Sequence, residues 1–181
     1  MIAFYLSILK KARLLSTLGA IFTLFLLTSC DSDAFSKYPK GKVTLKTGEV
    51  LTVIIADTFD RQKQGLSGVQ KKDWPRDQLM FFPSRAPHIR RFWMRNTFFN
   101  LDIIFLTADL YVVDISRNMP FNTDENPAEH EVAWTPPVHS QHVLEISSDS
   151  SFAQKIKVGD KLNWSSDPGL SQIVSGIHPS L

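Results

Sequence analysis

Residues 92–106 read Phe-Trp-Met-Arg-Asn-Thr-Phe-Phe-Asn-Leu-Asp-Ile-Ile-Phe-Leu, and they limit the possible folds more than any other stretch of the chain. Aromatic and branched apolar side chains surround an Arg, an Asn, a Thr and an Asp, so polar groups must enter or border a core that is otherwise dry. Those groups need partners. The β-branched and aromatic content predicts two extended segments, 92–94 and 101–106, with Asn and Thr between them. In the second, Leu101, Ile103 and Phe105 face one way and Asp102, Ile104 and Leu106 the other, as in a strand covered on both sides. A buried ionised carboxylate at Asp102 is costly unless an Arg or several donors meet it. Arg95, Arg61 and the Asn96 and Thr97 amides are the candidate partners, and Asp102 belongs either to a structural buried network or to a functional site.

The first 29 residues carry Lys10, Lys11 and Arg13 ahead of an apolar run from Leu14 to Leu27. The run is too short and too polar-flanked for a membrane-spanning helix, and it fits an export signal. It ends on Leu27-Thr28-Ser29-Cys30, which resembles the bacterial lipoprotein signal, with Cys30 expected to be acylated after cleavage before it. Cys30 is the only cysteine, so disulfide and thiol redox chemistry are excluded. Removing residues 1–29 takes away three of the 20 basic side chains and leaves 17 against 18 acidic ones, a net charge of −1. The apparent basicity belongs to the export segment, and nothing points to nucleic acid as a partner. Asp31 after Cys30 implies, by the same resemblance, retention on the periplasmic face of the inner membrane where the source has two membranes.

Residues 30–41 read as a polar tether. A hairpin is expected around Thr47-Gly48, a short helix capped at Asp57-Thr58 and ended near Gly65, a strand at 79–82, and a hairpin joining 101–106 to 111–115. Residues 118–140 hold four prolines and no period, a loop long enough to be functional or mobile. Strands follow at 142–146 and 161–164 around a second short helix reaching Lys155, and 165–181 reads as a loose tail. Short strands with two short helices predict a mostly β fold, a compact antiparallel sandwich or barrel-like domain over 42–164.

Several segments together resemble the bacterial and archaeal family called domain of unknown function 192. They are Ala56-Asp57-Thr58 with Arg61 and Gly65-Leu66, Met80-Phe81-Phe82-Pro83, Phe92-Trp93-Met94-Arg95-Asn96-Thr97, Leu101-Asp102-Ile103-Ile104-Phe105, Leu144-Glu145-Ile146, and Ile156-Lys157-Val158-Gly159-Asp160-Lys161. The Trp-Met-Arg-Asn-Thr block followed by Leu-Asp-Ile-Ile-Phe is the specific part. Ser67 departs from the Met usual in the family and Leu110 from a turn Gly, and Leu disfavours the positive φ of a tight turn. The resemblance implies a compact, largely β domain, often exported, with no established activity; separately, no cofactor is expected.

For chemistry, paired carboxylates need two acids that converge on a cleft with separated pKa values. Asp102, Glu145, Asp57 and Asp160 are the candidates, with Asp102 and Glu145 the pair a hydrolase would use, although Glu145 points away from Leu144 and Ile146 and can equally face solvent. His139 and His142 are the metal candidates, but residues three apart on a strand face opposite ways. Arg61, Trp93, Arg95, Asn96, Thr97, Asp102 and Trp134 are the candidate binding residues, with Trp134 the aromatic that core packing explains least. The leading expectation is a membrane-anchored, extracytoplasmic binding or accessory module for an envelope ligand or protein. The alternatives are an envelope hydrolase using Asp102 and Glu145, and a purely structural domain.

Overall fold

The computed structural model of the protein describes residues 35–177, and nine strands among them build the fold. The stretch expected to be an export signal, Cys30, the first part of the expected tether and the last four residues lie outside the described residues. All nine strands fall in the unit Lys37–Leu181. They are β1 Lys40–Thr44, β2 Val50–Ile55, β3 Leu79–Phe82, β4 His88–Arg90, β5 Leu101–Leu106, β6 Val112–Met119, β7 Val138–Ser140, β8 His142–Ser147 and β9 Asn163–Trp164. Seven of them form one curled half-barrel sheet in the order β6-β5-β8-β3-β2-β1-β9, and β4 pairs with β7 in a second, smaller sheet. The fold is mostly β, as expected, and the described residues hold two α-helices: α1 Phe59–Gln64 and α2 Leu170–Gly176.

Local chemistry explains the connections. Gly48, at φ 97°, turns the β1–β2 hairpin, and Leu45 N–H closes it on Glu49 O at 2.8 Å. The Thr58 hydroxyl accepts from Arg61 N–H at 3.3 Å to start α1, and Gly65 ends it at φ 50°. α1 lies on the crossover that lets β2 and β3 run parallel, whereas the other sheet pairings are antiparallel. Leu110 does adopt the positive φ that Leu disfavours, at 63°. Its side chain is buried in the main core and its N–H bonds Thr107 O at 3.2 Å, which offsets the strain.

Two expectations are corrected. Residues 92–94 are not a regular strand: Trp93 makes a single antiparallel bridge to Trp134, and the strand lies four residues earlier, at His88–Arg90. That strand is exposed at His88 and Ile89, so it carries no hydrophobic pattern to reveal it. Residues 165–177 are not a loose tail, because α2 buries Ile173 in the main core and Ile177 is fully buried. A helix this short depends on tertiary packing rather than on its own periodicity.

The large sheet is covered on both faces. Val53, Ile55, Leu79, Phe81, Ile104, Leu144 and Ile146 build the main core on one side. Alternation puts Ile54, Met80, Phe82, Ile103, Phe105 and Val143 on the other side, and they are also buried. Phe92 packs there, its ring 5.1 Å from Phe82 and 6.2 Å from Phe105. Both faces of β5 and β8 are therefore dry, and any polar residue on either strand must be satisfied or pay in stability.

Candidate functional site

Asp102 lies on the main-core face and is fully buried. Neither Arg95 nor Arg61 meets it. The β5–β6 register slips between Leu101 and Ile103, so Leu101 faces Met119 and Ile103 faces Ser116, leaving two residues of β6 opposite one of β5. The Asp102 carboxylate fills that bulge, accepting from Arg117 Nη1 at 2.5 Å and from Asn118 N–H at 2.8 Å. Arg117 also donates to the Ala153 carbonyl at 2.6 Å and to the Ile156 carbonyl, which fastens β6 to the turn after β8. Asp102 is thus the centre of a structural network.

Arg61 is engaged elsewhere, with Asp57 at 2.5 Å and Lys37 O at 2.8 Å, and it covers the Tyr38 ring. Arg95 and Thr97 organise the long loop. Arg95 donates to Glu125 O at 3.1 and 3.0 Å and to Asn126 Oδ1 at 3.0 Å, and Thr97 N–H donates to Asn122 O at 2.8 Å. Asn96 takes φ 50°, and its carbonyl accepts from Gly68 N–H at 2.7 Å. The loop is thereby folded back so that Trp134 reaches Trp93.

There the sequence block and the loop build a shared surface. The Trp93 and Trp134 rings lie 5.2 Å apart. The Arg91 guanidinium sits 4.9 Å above Trp134, and that of Arg95 5.8 Å above Trp93. This stack borders a groove of about 410 Å³ lined also by Phe59, Lys63, His88, Ile89 and Arg90. The groove lining contains no acidic side chain.

A smaller recess of about 30 Å³ shares Gln62, Lys63, Phe82, Phe92 and Trp93 with the groove, and Glu145 lines it. Glu145 is 5% exposed, so the expectation that it can face solvent is corrected: its face of β8 is covered by the second core. Its Oε2 is buried without a hydrogen-bond partner. Burial pushes its carboxyl up to about 8, against the opposing pull of the Arg90 charge. Buried Arg90 donates to Phe82 O at 3.1 Å and Gln141 O at 3.0 Å, and desolvation lowers it to about 10.

The two carboxylates proposed for hydrolysis do not converge. Asp102 pairs in register with Ile146 and Ile103 with Glu145, so Asp102 and Glu145 project from opposite faces of the sheet. His142 is buried and its Nδ1 accepts from Ser84 N–H at 3.2 Å, with burial lowering its pKa to about 4. His139 is exposed on β7. Among the described residues no three His, Cys, Asp or Glu side chains gather as a metal site.

Sequence reasoning passed over Lys63, Arg90, Arg91 and the burial of Glu145. The one available signal was that Met80, Phe82, Ile103 and Phe105 are apolar on the face opposite Leu79, Phe81 and Ile104, which requires a second core.

The DUF192 family model, described as Uncharacterized ACR, matches residues 42–164. A crystal structure of a protein of unknown function from Novosphingobium aromaticivorans DSM 12444 is 30% identical, with TM-score 0.55, over 70% of this chain and 85% of that one. Another, from Sinorhizobium meliloti 1021 and described only provisionally as a transcription regulator, is 26% identical, with TM-score 0.54, over 70% of this chain and 95% of that one. No curated protein matches the chain.

Proposed function

Since the chain belongs to the DUF192 family, a family of unknown function, we propose that its site is a binding groove and that the domain is a membrane-anchored module of the cell envelope taking an anionic ligand with a flat apolar face. The observation that carries this reading is the row of contacts Arg91–Trp134–Trp93–Arg95 beside a groove whose charged lining is basic. Indole faces give a ring a large contact area at low conformational cost. Lys63, Arg90 and Arg91 supply a positive field in a partly dry wall, which favours an anion and disfavours a cation. Calorimetric titration with benzoate and with benzyl alcohol tests it. Benzoate is expected to bind more tightly, and Trp134→Ala to weaken it about tenfold, the size of an aromatic pair worth about 1.5 kcal/mol. Equal binding of the charged and uncharged probes removes the anion requirement.

Envelope anchoring rests on the apolar run ending at Leu27-Thr28-Ser29-Cys30. The mature chain is expected to start at an acylated Cys30, as mass spectrometry of the N-terminal peptide will report. A Cys30→Ala protein that is still processed and still membrane-bound removes this part of the reading.

A further inference from the structure

The recess beside the groove contains a polar group that the protein itself leaves unspent. Thr97 Oγ1 donates to Met94 O at 2.9 Å and accepts from Asn122 N–H at 3.2 Å. Ser67 Oγ donates to Arg95 O at 2.8 Å, Gln62 Nε2 to Pro83 O at 2.7 Å, and Gln64 Nε2 to Ser67 O. Lys63 is exposed at the rim. Only Glu145 remains, with Oε2 buried and unpartnered in a space lined by Phe82, Phe92 and Leu101. Buried polar atoms in folded proteins almost always have a partner.

We propose that the Glu145 recess admits one uncharged hydroxyl of the ligand, so that the groove selects hydroxylated rings carrying a carboxylate. This deepens the binding-groove reading and rests on it. The three parts of such a ligand match three parts of the site. The ring face lies on Trp93 and Trp134, and the carboxylate stays near Lys63 and Arg91. The hydroxyl enters a volume of about 30 Å³, room for one water-sized group. A carboxyl group held neutral by burial can both donate to and accept from a hydroxyl. A second carboxylate is poorly suited to the recess because it would shed its water against Phe82, Phe92 and Leu101 and crowd the Glu145 carboxyl.

Two sources offer this chemistry, hexuronic acid sugars and hydroxyaromatic acids, and titration calorimetry on the wild-type domain separates them. The probes are 4-hydroxybenzoate, benzoate and a hexuronate disaccharide. Expected is a preference of about tenfold or more for 4-hydroxybenzoate over benzoate, as when a buried polar group gains rather than lacks its partner. Tighter binding of the disaccharide than of 4-hydroxybenzoate assigns the ring to a sugar, and the reverse order assigns it to an arene. Glu145→Gln keeps the preference, whereas Glu145→Leu abolishes it while leaving benzoate binding in place. Equal binding of the two benzoates, with the disaccharide no better, overturns the recess inference and leaves the groove intact. Absence of binding by all three probes overturns the groove reading as well.

Discussion

Asp102→Ala is expected to lower stability by about 3 kcal/mol, which for a protein of this size lowers the melting temperature by roughly 6–12 °C. The change strands the Arg117 guanidinium and leaves Asn118 N–H without its acceptor at the bulge. The figure is set at the low end for a broken buried pair because the Arg117 side chain is 34% exposed and water can replace part of what it loses. The converse change is more severe. Arg117→Met leaves a fully buried carboxylate with one donor, so a loss of about 4–5 kcal/mol is expected. Asp102→Asn retains shape and an acceptor for Asn118 N–H, and about 1–2 kcal/mol is expected. Thermal melts of the three variants should therefore rank Arg117→Met, Asp102→Ala, Asp102→Asn from worst to mildest. Unchanged melting of Asp102→Ala would remove the structural role assigned to this network.

Stability should also fall between pH 6.5 and 8, by about 2 kcal/mol, at about 1.36 kcal/mol per pH unit. The direction follows from Glu145. Its carboxyl, raised from 4.5 to about 8, holds a proton in the folded state that the unfolded chain has already released. That contribution is complete below pH 4.5 and is lost as pH rises to 8. His142 works in the opposite sense. Its pKa is lowered from 6.5 to about 4, so the folded state gains stability as pH rises through that interval. Between pH 4.5 and 6.5 the two slopes cancel, and above 6.5 only that of Glu145 remains. The other shifted groups titrate outside this window: Glu49 at about 2, Asp149 and Asp160 below 3.8, Arg90 at about 10, and Tyr38 above 10. Chemical denaturation of Glu145→Gln should show a plateau above pH 6.5 where the wild type declines. A wild-type curve that stays flat from pH 6.5 to 9 would mean that Glu145 is hydrated and ionised, and the recess would lose its neutral donor.

The groove and the buried network divide the polar residues of the central block between them, and the division could not be read from spacing. Asn96 and Thr97 were candidates as partners for Asp102. They bond instead to the Gly65–Gly68 segment and the long loop, because the chain turns at Asn96 and leaves the sheet. Arg117 was not among the expected partners, since it falls between the strand expected at 111–115 and the loop expected from 118, whereas the strand runs on to Met119. A bulge gives no signature in a one-dimensional pattern. It was the slipped register that set Arg117 and Asn118 opposite Asp102.

What the sequence by itself determined were the properties fixed by neighbours in the chain. Strand β5 follows from its run of branched and aromatic residues, and the β1–β2 turn from a Gly at positive φ. The limits of α1 follow from Thr58 and Gly65, and the need of Asp102 for a cationic partner from its apolar surroundings. The tertiary structure alone decided which cation that is, and that Glu145 faces a second core rather than water. It also decided that Trp134, from a loop without periodicity, packs at a tilt against Trp93 to wall a groove. The physical reason is common to all three. Backbone propensity and alternation act over a few residues, whereas a buried charge or an open ring face takes its character from strands and loops brought against it from far along the chain.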